Sequence, residues 1–527
     1  MIDDRSTPIS IPDRLSWIAL VAFVTVVVAS TLFAASGGVR GSDQYWYLAD
    51  VETLARDRVI GSTTVFPVGL LGDHGTLPPP FIHNVLSIYL AALPALVVGP
   101  LGGWIVLNLV ATLATSFLIY RAARVVASVW AAALCAVLYP LLPVTVWQTA
   151  QPLAEASTSL FGALAFYLVT GARVSAIRWL GVVLAVGLLY FSRQSYLPLL
   201  LAAPLWFGVL RACELGARIR DVLPLTALLA AVALAITSAG QLMFAAANVR
   251  VSYTRLWHTA VPGRSDNMWF NFDLSSANLA DQLPFDTDIL VPKLVGHLAE
   301  QLVSFGSLQI AVFYWTFNAL ALVAVAKLWR ERGRLRRRII IAALAPVAVH
   351  LVTIVLFQNQ FRYSLPALPG LLVVLAMVLE DTPRLARRLA PRPAVVVLVV
   401  TAVALVPSGV LALTIRDEGI RSASVEAATR DLFDEHVGPS ENVLIVYSGT
   451  PQVFAYAVRP RLILYTSPEY NRAEYARLLD AFPARWIFAP VDSAALTHTT
   501  VRPAPAGVVD ALGTQWGLFE LVSPASP

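Results

Sequence analysis

Asp43, the carboxylate in Gly41-Ser42-Asp43-Gln44-Tyr45-Trp46-Tyr47, is the first residue of this chain placed to do chemistry. It follows directly on an apolar run, so it lies at the mouth of a bundle. There a carboxylate can take a proton from a nucleophile arriving from water. The stretch 43–58 reads as a surface-lying helix, with Tyr47, Val51, Leu54 and Ala55 on one face and Glu52, Arg56 and Asp57 toward water. Tyr45, Trp46 and Tyr47 suit a membrane interface, and Tyr45 is a candidate substrate contact. A bland reading stands beside this one, because a helix dipole favours a carboxylate at its start and Asp43 or Ser42 can be a simple N-cap.

Two candidates sit at other span ends. Glu155, in Gln151-Pro152-Leu153-Ala154-Glu155, begins one span, and Arg193, in Phe191-Ser192-Arg193-Gln194, ends another at the same face. Ionisable groups in spans are costly and usually face a partner or a cavity. They can pair, share a polar cavity with Asp43, or snorkel separately to the interface. Arg362, in Gln358-Asn359-Gln360-Phe361-Arg362-Tyr363, also opens a span end, and its planar fork suits a phosphate. Tyr363 lies beside it. The turn from Gly72 to Asn84 carries His74 and His83 around Pro78-Pro79-Pro80, and His83 can donate to a phosphate. Two histidines at that spacing are no metal motif. The loop 248–300 mixes Trp257, His258, Trp269, Phe270 and Phe272 with Asp266, Asn267, Asn271 and Asp273. Such a set can stack on and hydrogen-bond a sugar, or it is an interfacial loop with ordinary aromatic anchors.

The elements that must position these residues are membrane spans. The chain is 57% hydrophobic and 13% charged, with mean hydropathy +0.69, against roughly a quarter charged in ordinary soluble domains. Apolar runs near 15–35, 103–120, 125–146, 153–171, 176–192, 195–211, 222–245, 302–327, 339–357, 365–380 and 394–415 are each close to bilayer length. The fold class is therefore a polytopic α-helical membrane protein of about 11–12 transmembrane helices. Met1–Arg14 is a polar leader before a retained anchor, since the first apolar run exceeds the ~7–15 residues of a signal peptide's apolar region. Cys135 and Cys213 fall inside apolar runs and suggest no disulfide framework.

Arginine clusters recur at 121/124, 173/178, 211/218/220, 330–338 and 384–392, on alternate connections. The positive-inside rule makes them cytoplasmic, and the net charge of +5 then reports topology rather than nucleic-acid binding. Parity holds if the apolar segment 82–99 is re-entrant or surface-lying; the alternative is a full span with another segment mis-split. Residues 1–14 are then a cytoplasmic N-terminus and 15–415 the membrane module, with external loops 36–80 and 248–300. The tail 416–527 has ordinary charge density and short β-rich runs at Val443–Tyr447, Leu462–Tyr465 and Trp486–Ala489, with a helix over Glu469–Phe482. It reads as a small extracytoplasmic α/β domain.

The constellation resembles the GT-C superfamily of polytopic glycosyltransferases, and is most similar to its bacterial aminoarabinose and protein-mannosyl transferase-like branch. An acidic residue follows the first span (Asp43), a Pro-Pro turn opens the next apolar segment (Leu77-Pro78-Pro79-Pro80-Phe81), and Arg362-Tyr363-Ser364-Leu365-Pro366-Ala367-Leu368-Pro369 opens a late span. Members often carry Asp-Glu where this chain has Asp43-Gln44, and a Lys or His where it has Leu77. The resemblance implies a polyprenyl-phosphate sugar donor whose phosphate meets Arg362, Arg193 or His83. It implies Asp43 as general base in an inverting transfer to a cell-envelope acceptor at a bacterial cell membrane. Glu155, Tyr45, Trp257, His258, Trp269 and Tyr363 would line the substrate site. Some relatives hold a divalent cation near the acidic loop; here the oxygen ligands are sparse. Rival readings are a transporter or lipid flippase, an O-antigen ligase or polymerase working through Arg250, Arg255, His258 and Arg264, and a non-catalytic scaffold.

Overall fold

The computed structural model describes residues 14–40, 42–58, 64–65, 85–171, 175–193, 196–215, 218–243, 295–296, 299, 308–356, 361–382, 392–446, 448, 451–459, 461–466, 468, 470–502, 505–511 and 513–522. His83, Trp257, His258 and Trp269 lie outside these residues. Asp43, Arg362 and Tyr363 lie within described elements whose side chains there are not described.

Each apolar run contains a helix among its described residues. Helix α1 (Arg14–Ala35) is followed by α2 (Ser42–Asp57), α3 (Val85–Ala123), α4 (Val129–Leu141), α5 (Pro143–Thr149), α6 (Glu155–Val169), α7 (Ala176–Ser192), α8 (Leu197–Leu215) and α9 (Ile219–Met243). Then come α10 (Leu308–Arg330), α11 (Arg334–Leu356), a 3-10 turn (Phe361–Ala367), α12 (Leu368–Glu380) and the long α13 (Pro393–His436). Among the described residues, four helices are long and apolar enough to cross a membrane by themselves, or five with the bent pair α4 and α5; shorter apolar helices occupy other expected spans. The outer faces carry uncovered Leu93, Val97, Leu205, Leu322 and Val403, side chains that hydrocarbon would cover. The interior is built from small residues around a few large ones, as where Ala131, Ala132, Cys135 and Ala136 surround Trp130. Close backbone approach is how helices associate in lipid, where apolar burial gives no net drive.

Of the ambiguous segment 82–99, the described residues from Val85 onward form the first half of α3. At Gly99 the backbone takes φ 78° and ψ 167°, a conformation open to glycine and disfavoured for other residues. The two halves fold against each other there: a Cβ on Gly103 would come within 2.5 Å of the Ala91 carbonyl. In a straight helix those residues would stand ~18 Å apart. The first half instead packs beside α2, sharing a buried cluster with Tyr47, Leu48 and Val51 through Ile88, Ala91 and Ala95.

One end of the bundle gathers the basic connections. Lys327 and Arg336 hold Asp381 at 2.5 and 3.0 Å, Ser128 donates to Glu380, and Arg338 donates to the Gly171 carbonyl. The opposite end gathers Gly38–Arg40, Gln151–Glu155 and Arg193.

The tail forms strands β2 (Val443–Val446), β3 (Ile463–Thr466), β4 (Trp486–Pro490), β5 (Gly507–Ala511) and β6 (Thr514–Glu520), with helices α14 (Pro451–Ala457), α15 (Arg472–Ala481) and α16 (Ala495–His498). A sixth strand, β1 (Thr64–Val65), comes from the loop after α2 and adds parallel to β3. The order is β1-β3-β2-β4-β6-β5, parallel from β1 to β4 and antiparallel beyond. Strands β2, β3 and β4 are buried along their whole length, as a parallel sheet covered on both faces requires. Phe433 of α13 and Phe454 of α14 pack on Phe488 of β4, their ring centroids 5.3 and 5.1 Å from it. Helix α15 starts at a capping box, Asn471 with Glu474. Helix α13 runs unbroken through residue 415, so the change from apolar to charged sequence falls inside one helix.

Candidate functional site

Asp43 is in the first turn of α2, and the chain leading to it is pinned from beneath. Gly38 takes φ 95° to leave α1. The Arg40 amide donates to Gln151 Oε1 at 2.8 Å, and Gln151 Nε2 reaches the Gly38 carbonyl. Asn108 of α3 donates to the carbonyls of Gln148 and Gln151 at 3.1 and 2.8 Å, while Arg40 pairs with Glu418 of α13. Four helices thus determine where α2 begins.

Glu155 opens α6 four residues after Gln151, and Arg193 caps the end of α7. The Arg193 guanidinium pairs with the Glu155 carboxylate; the two side chains are 12% and 1% exposed. This settles the sequence alternatives in favour of a pair and against separate snorkelling. Ser157, half a turn on, shares a 2.7 Å hydrogen bond with Ser87 of the folded-back half of α3. Arg193 also acts electrostatically on buried Tyr196 and on His350 of α11. His350 stands edge-on to Phe317 at 5.5 Å. It escaped the sequence reading, although a lone histidine inside an apolar run was the available signal. The 3-10 turn bearing Arg362 and Tyr363 packs on α6, where a Cβ at Gly162 would lie 3.0 Å from the Pro366 carbonyl. The segments carrying Asp43, Glu155, Arg193 and Arg362 therefore converge on one end of the bundle. Among the described residues no three His, Cys, Asp or Glu side chains stand close enough to hold a metal ion.

The other face of α2 departs from expectation. Val51 and Leu54 are buried and Arg56 and Asp57 are exposed, as the helical pattern requires. Glu52 does not face open water: its Oε2 accepts from Tyr456 Oη at 2.9 Å and from Arg459 at 2.8 Å, both contributed by the tail. The Arg459 guanidinium lies 3.7 Å over the Tyr456 ring, a cation–π arrangement. Tyr45 is 1% exposed, with its ring 5.2 Å from that of Tyr456 and its hydroxyl directed at the Val39 carbonyl, 3.5 Å away. It is packed into this contact with the tail. Tyr47 faces the opposite way, its ring 5.9 Å from Trp104, whose indole donates to the Tyr47 carbonyl.

Two carboxylates of α2 are tuned in opposite directions. Burial alone would raise Glu52, but the hydrogen bonds and charge of Arg459, helped by Tyr456, hold it below the ordinary value. Asp50 is 4% exposed, and burial pushes its carboxyl up to about 8 against the lowering charge of Arg459. No sequence signal separates the two, because Glu52 is lowered by an arginine of the distant tail and Asp50 is raised by burial in the folded chain.

No family model matches the chain, and no curated protein matches it in sequence. Solved structures do match. ArnT from Cupriavidus metallidurans bound to undecaprenyl phosphate superposes with a TM-score of 0.58 at 13% identity, covering 97% of this chain and 99% of that one. The Archaeoglobus fulgidus oligosaccharyltransferase with Zn and sulfate gives 0.52 at 13% identity, covering 94% of this chain and 72% of that one. The archaeal oligosaccharyltransferase AglB from the same organism, in complex with an inhibitory peptide and a dolichol-phosphate, gives 0.51 at 11% identity over 97% and 75%. At such identities the likeness is one of fold. Over nearly its whole length this chain, with its bundle of apolar helices and terminal α/β sheet, therefore has the overall fold of ArnT and of these archaeal oligosaccharyltransferases.

Proposed function

We propose that the chain is an integral-membrane glycosyltransferase that moves a sugar from a polyprenyl-phosphate donor to a cell-envelope acceptor. The observation that carries this reading is the GT-C fold over nearly the whole chain, shared with ArnT bound to undecaprenyl phosphate. Fold alone does not name an activity, so the site must supply the rest. Asp43 takes the proton from an acceptor hydroxyl or amine as that atom attacks the anomeric carbon, and the polyprenyl phosphate leaves from the opposite face with inversion. Because Arg193 is held by Glu155, we assign the leading part in stabilising the leaving phosphate to Arg362, with His83 as a second candidate donor. Trp257, His258 and Trp269 of the long loop, with Tyr363, contact the sugar. The basic end of the bundle is cytoplasmic by the positive-inside rule. The Asp43 end and the tail are then extracytoplasmic, at a bacterial cell membrane.

Native mass spectrometry of the protein in mild detergent, with undecaprenyl phosphate added, tests the donor site. The lipid stays bound to the unaltered protein and is lost from Arg362→Ala. Asp43→Asn keeps the lipid but loses transfer by about 10²–10⁴-fold, the usual contribution of a general base. Near-normal turnover by Asp43→Asn would sink the assignment. Retention of bulk phospholipid alone would favour a transporter.

A further inference from the structure

The tail reaches past its own sheet to hold the helix that bears Asp43. Tyr456 is the hinge of the contact. Its hydroxyl donates to Glu52 at 2.9 Å, while its ring packs 5.2 Å from Tyr45, seven residues earlier and about two turns away on α2. Arg459 covers the ring at 3.7 Å and bonds the same Glu52 oxygen at 2.8 Å. Two side chains of the tail thus hold one face of α2, Tyr456 at both Tyr45 and Glu52 and Arg459 at Glu52. The next stretch of chain is stitched to the tail as β1 on β3, Thr64 opposite Ile463 and Val65 opposite Leu464.

On the other side, Trp104 of α3 donates to the Tyr47 carbonyl at 3.1 Å. Helix α2 is therefore clamped between a membrane helix and the tail, with Asp43 two residues before Tyr45. A helix carried as a rigid body transmits a shift at Glu52 to its first turn, ~13 Å away along the axis. Misplacement of a reacting group by about 1 Å can cost about 10²-fold in rate.

We propose that Tyr456 and Arg459 of the tail are positioning residues for transfer: by clamping α2 through Glu52 and Tyr45, they set where Asp43 meets the acceptor. This rests on the transferase reading for its catalytic half and on the contacts of Tyr456 and Arg459 with Glu52 and Tyr45 for the clamp. Neither residue touches the reacting atoms, so the signature is a loss in turnover without a loss in donor binding.

The test uses the full chain in nanodiscs, with synthetic undecaprenyl-phosphate-linked mannose and aminoarabinose as donors and crude envelope extract as acceptor. Arg459→Ala and Glu52→Gln are expected to lower kcat about tenfold or more while donor KM stays within about twofold, the pattern of a lost transition-state interaction. Arg459→Lys, which keeps the charge, is expected to recover part of kcat. In parallel, amide hydrogen exchange across 44–56 rises in both variants, while β2, β3 and β4 stay as protected as before. If the tail strands also lose protection in Arg459→Ala, Glu52→Gln decides, because it alters the contact from the α2 side. Unchanged kcat together with unchanged exchange in α2 overturns the proposal. Absence of transfer from either donor by the unaltered protein counts against the transferase reading and the catalytic half here, and the exchange measurement then decides the clamp.

Discussion

Two of the ion pairs that steady the end of the molecule carrying Asp43 sit in opposite surroundings. Glu155 and Arg193 meet inside the helical bundle at 1% and 12% exposed. Glu52 and Arg459 meet between α2 and the tail at 31% and 19%. Inside, each charge has left water and depends on its partner, so the pair is a condition for packing α6 against α7. Between α2 and the tail, water still reaches the carboxylate, and the pair gains little from charge alone. Its specificity comes from the Tyr456 hydroxyl and from the stacked guanidinium. The buried pair therefore governs whether this end folds, and the surface pair governs how α2 is held once it has.

That contrast can be broken by mutation. The largest effect is expected for Glu155→Ala, which leaves Arg193 uncompensated and destabilises the bundle by about 3–5 kcal/mol, read as a thermal shift in detergent. Replacing both residues by methionine should be milder than this single change, since no unpaired charge is then buried. A double variant as unstable as the single one would show that Glu155 contributes something other than charge balance.

Asp50 comes next, and its sign is opposite to that of Glu52. With its carboxyl raised from 3.8 to about 8, folding favours the protonated form. No penalty applies below the ordinary value; it grows as pH rises toward about 8 and is complete above. Asp50→Asn should thus raise the melting temperature at pH 9 and change it little near pH 4.

Smallest is Glu52→Gln, expected to cost about 0.5–1 kcal/mol at pH 7, as partly exposed pairs do. The Glu52 carboxyl is held below its ordinary 4.5. Its contribution is complete above that value and is lost as pH falls through the lower folded one. The melting difference between Glu52→Gln and the unaltered protein should accordingly vanish in acid. A Glu52→Gln penalty as large as that of Glu155→Ala would erase the distinction between the two regions.

Hydropathy located the membrane helices because length and apolarity are local properties. The run 176–192 became α7 to the residue, and 394–415 opened α13, whose charged continuation to His436 no apolar window could register. Strands β2, β3 and β4 of the tail were legible from β-branched and aromatic runs, and α15 from its spacing, whereas the antiparallel pair β5 and β6 was not among the runs read from the sequence. The two-residue strand β1 was not, since Thr64 and Val65 form a strand only because β3 offers an open edge. The pairing of Glu155 with Arg193 was among the sequence alternatives, whereas Arg459 and Tyr456 were not considered. Nothing local tells an arginine more than 400 residues from Glu52 that they will meet.

The amino-acid order by itself determined which segments are apolar helices, which end of the bundle is basic, and that a carboxylate follows the first span. These depend on neighbours within a few turns. Tertiary structure alone decided that α3 folds back at Gly99 beside α2, that Glu52 turns to the tail, and that Asp50 and Glu52 are tuned apart. Each of those outcomes is set by burial and by charges brought from distant parts of the chain, which only packing supplies.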